Sequence, residues 1–221
     1  MKEEIIKYIS QHKIIAIVRG IYGEECKKLA YALQAGGISL LEVTFDQNDS
    51  ASVFRTADTI RMLNDTEDLH MYVGAGTVTT HEMCQLAKNA GAQFVISPNT
   101  EKAIIQQTAE YGMVSIPGAM TPTEIIKAYE YGADFVKVFP VSELGVSYVK
   151  AIRSPLNHIR MLAVGGVNEH NISQFLKAGM VGVGVGGNLV NKKWIAEGKF
   201  DQITKMAEEF VKAAKEVICN E

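Results

Sequence analysis

Lys137 stands within Asp134-Phe135-Val136-Lys137-Val138-Phe139-Pro140, a run that otherwise reads as a buried strand. Strand side chains alternate, so Phe135, Lys137 and Phe139 share one face while Val136 and Val138 share the other. An ammonium enclosed by aromatic rings is costly unless something pairs or uses it. Burial disfavours the charged form, and a neutral lysine amine is a nucleophile. The other lysines fall on helical patterns, in loops or, for Lys13, at the start of a strand. Two readings follow from this segment alone: a catalytic amine, or a strand-end lysine whose head snorkels to water. A second charged residue, Glu42, sits inside Leu40-Leu41-Glu42-Val43-Thr44, on the face it shares with Leu40 and Thr44. It is either an acid/base or half of a structural ion pair. Lys137 is one candidate partner, and that pairing would still set an acid/base beside a nucleophile.

Two such side chains, far apart in sequence, need a scaffold that brings their strands together. Short apolar runs rich in Val, Ile and Ala predict strands near 14–18, 40–44, 71–74, 94–97, 114–116, 135–138, 161–164 and 181–185. Helical patterns fall between them, near 24–34, 50–63, 80–89, 101–111, 122–131, 146–152 and 172–177, with a last helix over 200–217. Eight strands alternating with eight helices in 221 residues is the count of a small α/β (β/α)8 TIM barrel. A doubly wound open sheet is the alternative. Ala35-Gly36-Gly37, Ala90-Gly91-Ala92, Tyr131-Gly132-Ala133 and Ala178-Gly179-Met180 each close a helix before a strand, as a glycine C′ residue does. Thr121-Pro122-Thr123-Glu124 offers a capping box with proline at the first helical position. Residues 1–10 are expected to form an extra helix that plugs the barrel bottom. No linker or composition break divides the chain, so 1–221 reads as a single domain.

Composition narrows the function. Hydrophobic residues are 47% and charged residues 21%, with a formal net charge of −3 and no basic block, so nothing advertises nucleic acid or an anionic membrane as partner. Three unpatterned cysteines, Cys26, Cys84 and Cys219, fit a reduced cytoplasmic protein. The N-terminus lacks the apolar core of a signal peptide, and no stretch reaches membrane-span length.

Barrel chemistry lies at the C-terminal ends of the strands. The first predicted strand ends at Arg19, whose guanidinium fork suits a substrate carboxylate; an exposed loop arginine is the plainer reading. The third ends in Gly74-Ala75-Gly76-Thr77, where glycines admit a close backbone approach and Thr77 offers a hydroxyl; a tight capped turn would look the same. Pro98 and Pro117 follow the fourth and fifth strands and first read as structural. Gly165-Gly166 and Gly186-Gly187-Asn188 follow the seventh and eighth, the usual phosphate cradle of a barrel. Gly182 to Gly187 also fits GxGxxG, but it lies partly inside a strand at the chain's end, so a dinucleotide site is rejected. Five histidines never approach ligand spacing, so no metal and no cofactor is expected. No GxSxG or Cys/His pattern suggests acyl transfer.

Taken in order, Glu42-Val43-Thr44, Gly74-Ala75-Gly76-Thr77, Ile96-Ser97-Pro98, Ile116-Pro117-Gly118, Phe135 to Pro140 and Gly165-Gly166 resemble the 2-keto-3-deoxy-6-phosphogluconate (KDPG) / 2-keto-4-hydroxyglutarate (KHG) aldolase family. The resemblance spans Ile14 to Asn188. It implies a homotrimeric (β/α)8 class I aldolase that needs no metal, releasing pyruvate together with glyceraldehyde 3-phosphate or glyoxylate. By position it makes Lys137 the Schiff-base lysine and Glu42 the general acid/base. Thr44, Thr77, Pro98 and Phe139 fall among the substrate-binding residues, and Gly165, Gly166, Gly186, Gly187 and Asn188 hold the phosphate. Three positions depart from the pattern. Asp46 stands where many members carry the carboxylate-binding arginine, so that role is moved to Arg19. Val164 replaces a threonine, as in members acting on the galacto epimer. Asn188 replaces a serine. A phosphosugar epimerase on the same barrel and a non-catalytic sugar-acid binder are the alternatives; neither needs both Lys137 and Glu42.

Overall fold

The structure, a computed structural model, describes residues 2–218, with the side chains of residues 50, 51 and 218 left aside; Cys219 lies outside the described residues. Its strands are β1 (Ile14–Val18), β2 (Leu40–Thr44), β3 (Tyr72–Gly76), β4 (Phe94–Ile96), β5 (Val114–Ile116), β6 (Gly118–Ala119), β7 (Val136–Val138), β8 (Met161–Val164) and β9 (Gly182–Val185). All pair in parallel, in the order β5-β4-β3-β2-β1-β9-β8-β7-β6. β5 and β6 are two pieces of one barrel strand, which the sequence reading took as 114–116 alone. Pro117 has no N–H to give to a ladder, and the strand is interrupted there. The first piece pairs with β4 and the second with β7. Lys137 N–H donates to Pro117 O at 2.8 Å across the break, and Phe135 N–H to Ser115 O at 3.2 Å. Those bonds complete the ring, so the open-sheet alternative falls.

The helices are α1 (Lys2–His12), α2 (Gly23–Ala35), α3 (Ser50–Asn64), α4 (His81–Asn89), α5 (Lys102–Glu110), α6 (Pro122–Glu130), α7 (Val141–Arg153), α8 (Ile172–Lys177), α9 (Lys192–Ala196) and α10 (Phe200–Ile218). Each predicted helix is present. The seventh begins earlier than the expected 146, because Val141–Arg153 joins two helical pieces across Gly145, whose φ of 76° and ψ of 168° are not helical. The short α9 was not anticipated. Its signal is Asn191, whose Oδ1 accepts from Lys193 N–H and Trp194 N–H as an N-cap. Thr121 and Glu124 form the expected capping box of α6.

Two apolar layers follow from strand alternation. Leu41, Val43, Val136, Val138 and Ala163 face outward under the helices. Ile15, Leu40, Phe94, Val114, Phe135 and Leu162 point into the barrel, where Ile5, Ile6 and Ile9 of α1 join them. That is the plug expected of the N-terminal helix. Lys2 fastens it by a 2.9 Å ion pair to Asp134, and Asp134 also accepts from Ser115 N–H at 2.8 Å.

Candidate active site

The lower barrel is filled with hydrocarbon; the polar side chains start one layer higher. Glu42 lies two residues beyond Leu40 on β2, and Lys137 two beyond Phe135 on β7, so alternation aims both inward. Glu42 is 2% exposed and Lys137 9%. They line one cleft of about 460 Å³ at the C-terminal mouth of the barrel, with Ile17, Arg19, Thr77, Pro98, Phe139, Val164, Gly165, Gly166, Val167, Gly184, Gly186, Gly187 and Asn188. Eleven of the twelve site residues foreseen from the sequence therefore meet at one place. Thr44 is the exception: it is wholly enclosed on the same face as Glu42, does not line the cleft, and its Oγ1 has no hydrogen-bond partner.

Room for Glu42 is made by a neighbour. A methyl on Gly76 would fall 1.8 Å from Glu42 Oε1, so glycine there is what admits the carboxyl. Glu42 Oε2 is buried without a partner. The carboxyl is pushed above its ordinary value by burial, with Lys137 and Arg19 pulling the other way. Lys137 moves oppositely: burial holds it below the ordinary lysine value, Glu42 works against that, and Arg19 adds to it. Among the described residues the Lys137 side chain makes no ion pair or hydrogen bond; its ammonium position lies 4.8 Å from the Phe139 ring centre. A structural Glu42–Lys137 ion pair is thus not what the site contains. It holds an acid disposed to keep its proton and an amine disposed to lose one.

Thr77 closes the β3 end in a left-handed conformation, φ 58°. For a β-branched residue this is strained and needs bracing. Arg19 Nη2 donates to Thr77 Oγ1 at 3.1 Å, and Gln47 Nε2 donates to Thr77 O at 2.9 Å. Asp46, where the resemblance expects arginine, turns away to accept from Asn48 N–H at 3.0 Å and does not line the cleft. Arg19 reaches the cleft from β1 instead.

The two glycine pairs differ. Gly165 and Gly166 have φ of 94° and 74°, and side chains there would strike Pro140 and Ser142, so the backbone demands glycine. Methyls on Gly186 and Gly187 would meet nothing within 4 Å. Their smallness leaves the cleft wall open to an approaching group. Asn188 spends one amide hydrogen on Val167 O at 2.8 Å, tying the loops after β8 and β9 together. Sequence reasoning missed Ile17 and Gly184 on the wall; inward alternation from Ile15 could have found the first. Among the described residues no group of three or more His, Cys, Asp or Glu could hold a metal, and no helix is long and apolar enough to cross a membrane.

A (β/α)8 barrel with a buried amine and a buried acid at its C-terminal mouth is built as an enzyme. The model of one family, "KDPG and KHG aldolase", matches residues 5–206, and the chain belongs to that family: it is an aldolase, a lyase. It is 32% identical over 206 residues to the 2-dehydro-3-deoxy-6-phosphogalactonate aldolase of Escherichia coli, covering 93% of this chain and 96% of that one. It is 34% identical over 194 residues to the KHG/KDPG aldolase of the same organism, covering 87% of each. Among solved structures, KDPG aldolase from Legionella pneumophila, with pyruvate captured as a covalent carbinolamine intermediate, matches at TM-score 0.81 and 26% identity, covering 92% of this chain and 96% of that one.

Proposed function

We propose that the protein cleaves 2-keto-4-hydroxy acids to pyruvate and an aldehyde through a Schiff base on Lys137. The observation that carries this reading is a buried lysine amine, free of any ion pair among the described residues, sharing a cleft with a buried carboxyl. The neutral amine adds to the C2 ketone to give a carbinolamine. Glu42 donates its proton as water leaves, and the iminium forms. The carboxylate so produced takes the proton of the C4 hydroxyl while the C3–C4 bond breaks, its electrons flowing to the iminium nitrogen. The aldehyde departs, the enamine is protonated at C3, and hydrolysis frees pyruvate and the amine. Arg19 holds the substrate carboxylate, Thr77, Pro98 and Phe139 flank the pyruvyl half, and the loops holding Gly165, Gly166, Gly186 and Gly187 receive a phosphate.

KDPG and KHG are the substrates we assign. Val164 on the cleft wall, in place of a hydroxyl residue, favours a second reading: the galacto epimer, 2-keto-3-deoxy-6-phosphogalactonate. Parallel kcat/KM measurements on the two epimers decide between them. We also propose a cytoplasmic homotrimer, on the family resemblance; Ile126 and Tyr129, exposed one turn apart on α6, supply apolar surface for an interface, and sedimentation equilibrium tests it.

The central test is incubation with pyruvate and borohydride, followed by intact mass and peptide mapping. A reduced pyruvyl adduct on Lys137 is the expected result. No adduct, or one on a different lysine, overturns the mechanism.

A further inference from the structure

A second hollow, about 450 Å³, opens beside the catalytic cleft and shares Ile17, Arg19, Gly186 and Gly187 with it. Its far wall is residues 190–193, which lead into α9 and include Lys192 and Lys193. A methyl on Gly20 would lie 3.5 Å from Lys192 Nζ, so this ammonium rests over the turn that follows Arg19. Three cations thus border one hollow. No carboxylate lines it, and among the described residues none of the three makes an ion pair. Like charges gathered without a counter-charge repel one another, and an anion between them removes that cost. The open backbone at Gly186 and Gly187 forms the threshold between hollow and cleft.

From this arrangement we infer that Lys192 and Lys193 form a distal anion subsite that receives the phosphate monoester on the aldehyde half of the substrate, while Arg19, between hollow and cleft, keeps the substrate carboxylate. The inference rests on the aldolase reading and deepens it. Gly186 and Gly187 offer only backbone N–H groups, and Asn188 has one amide hydrogen committed to Val167 O. The remaining positive charge for a phosphate dianion comes from the lysines of α9, two mobile point charges reaching over the loop. Lys192 and Lys193 are then specificity residues: they favour phosphorylated over unphosphorylated sugar acids and take no part in bond cleavage.

The test is the Lys192→Ala/Lys193→Ala double variant, assayed on a 2-keto-3-deoxy-6-phospho sugar acid and on the same acid without its phosphate. The kcat/KM ratio of the first to the second is expected to fall on the order of ten-fold or more, through KM, since charge-assisted hydrogen bonds are lost. The Lys192→Arg/Lys193→Arg variant should restore most of the ratio. Inorganic phosphate gives a readout that needs no turnover: it should raise the melting temperature of the parent protein more than that of the alanine variant. An unchanged ratio and an unchanged phosphate response, in a protein that still forms the Lys137 adduct, would sink the subsite while leaving the aldolase standing. Absence of the adduct together with a lost phosphate response in the variant would sink the aldolase reading and keep an anion site.

Discussion

The barrel interior divides into two layers on the same strands. Below, Ile5, Ile9, Leu40, Phe94 and Phe135 close a dry core. One alternation step higher, at Glu42 and Lys137, two ionisable groups are also buried with no polar partner: Glu42 Oε2 is orphaned and the Lys137 amine is unpaired among the described residues. The lower layer gains free energy from burial, whereas the upper layer spends it. The mouth is therefore a local liability that the plugged bottom compensates, and substitutions in the two layers should separate activity from stability.

The largest separation is expected at Lys137. Lys137→Met should abolish turnover and the borohydride adduct while raising stability by about 1–3 kcal/mol, because a buried group without partners is replaced by hydrocarbon. At 221 residues, each kcal/mol is worth about 2–4 °C in Tm. The sign with pH follows from the shift. Lys137 is held below its ordinary 10.5 in the folded protein. Between the folded value and 10.5 the unfolded chain binds more protons, so wild-type stability rises with pH across that window. The stabilisation by methionine should shrink across the same window. Equal or lower stability of Lys137→Met at neutral pH would contradict the assignment of the upper layer as a liability.

Glu42→Gln comes next. Loss of general acid–base help costs about 10²–10⁴-fold in kcat. Gly76→Ala should reproduce much of that loss with the carboxyl intact, since its methyl would displace Oε1. Retained activity in Gly76→Ala would show that Glu42 can sit elsewhere and still work.

Phe135→Ala tests the other layer. Removing a fully buried ring should cost about 3–5 kcal/mol of stability, read from denaturant midpoints, while the protein that remains folded still forms the Lys137 adduct. A large loss of adduct per folded molecule would mean that the two layers are not separable.

This contrast also explains what the sequence could and could not say. Period-two alternation is a local property, so Leu40 with Glu42, and Phe135 with Lys137, could be assigned to one interior face without any tertiary knowledge. The strand–helix count carried the barrel in the same way. What stayed hidden depends on residues that are neighbours only in space. The room for Glu42 comes from Gly76 on the adjacent strand, and the left-handed bend at Thr77 from braces at Arg19 and Gln47. The break at Pro117 shows as a proline in sequence, but its bonding to Lys137 does not. Lys192 and Lys193 carry no functional signal in the sequence until the fold sets them around one hollow with Arg19.

The smallest predicted effect probes the coupling of the two upper-layer groups. Schiff-base formation needs neutral Lys137, so the rate of borohydride trapping should rise with pH through the Lys137 pKa, below that of an ordinary lysine. Burial sets the direction of that shift and Glu42 opposes it, because a carboxylate nearby favours the ammonium. Glu42→Gln removes the opposition and leaves burial and Arg19 acting together. The trapping profile of Glu42→Gln should therefore move to lower pH than that of the parent, although its turnover is crippled. A profile that stays in place would mean that the two groups do not sense each other across the cleft. A profile that moves upward would reverse the sign assigned here, with Glu42 disfavouring the ammonium and not supporting it.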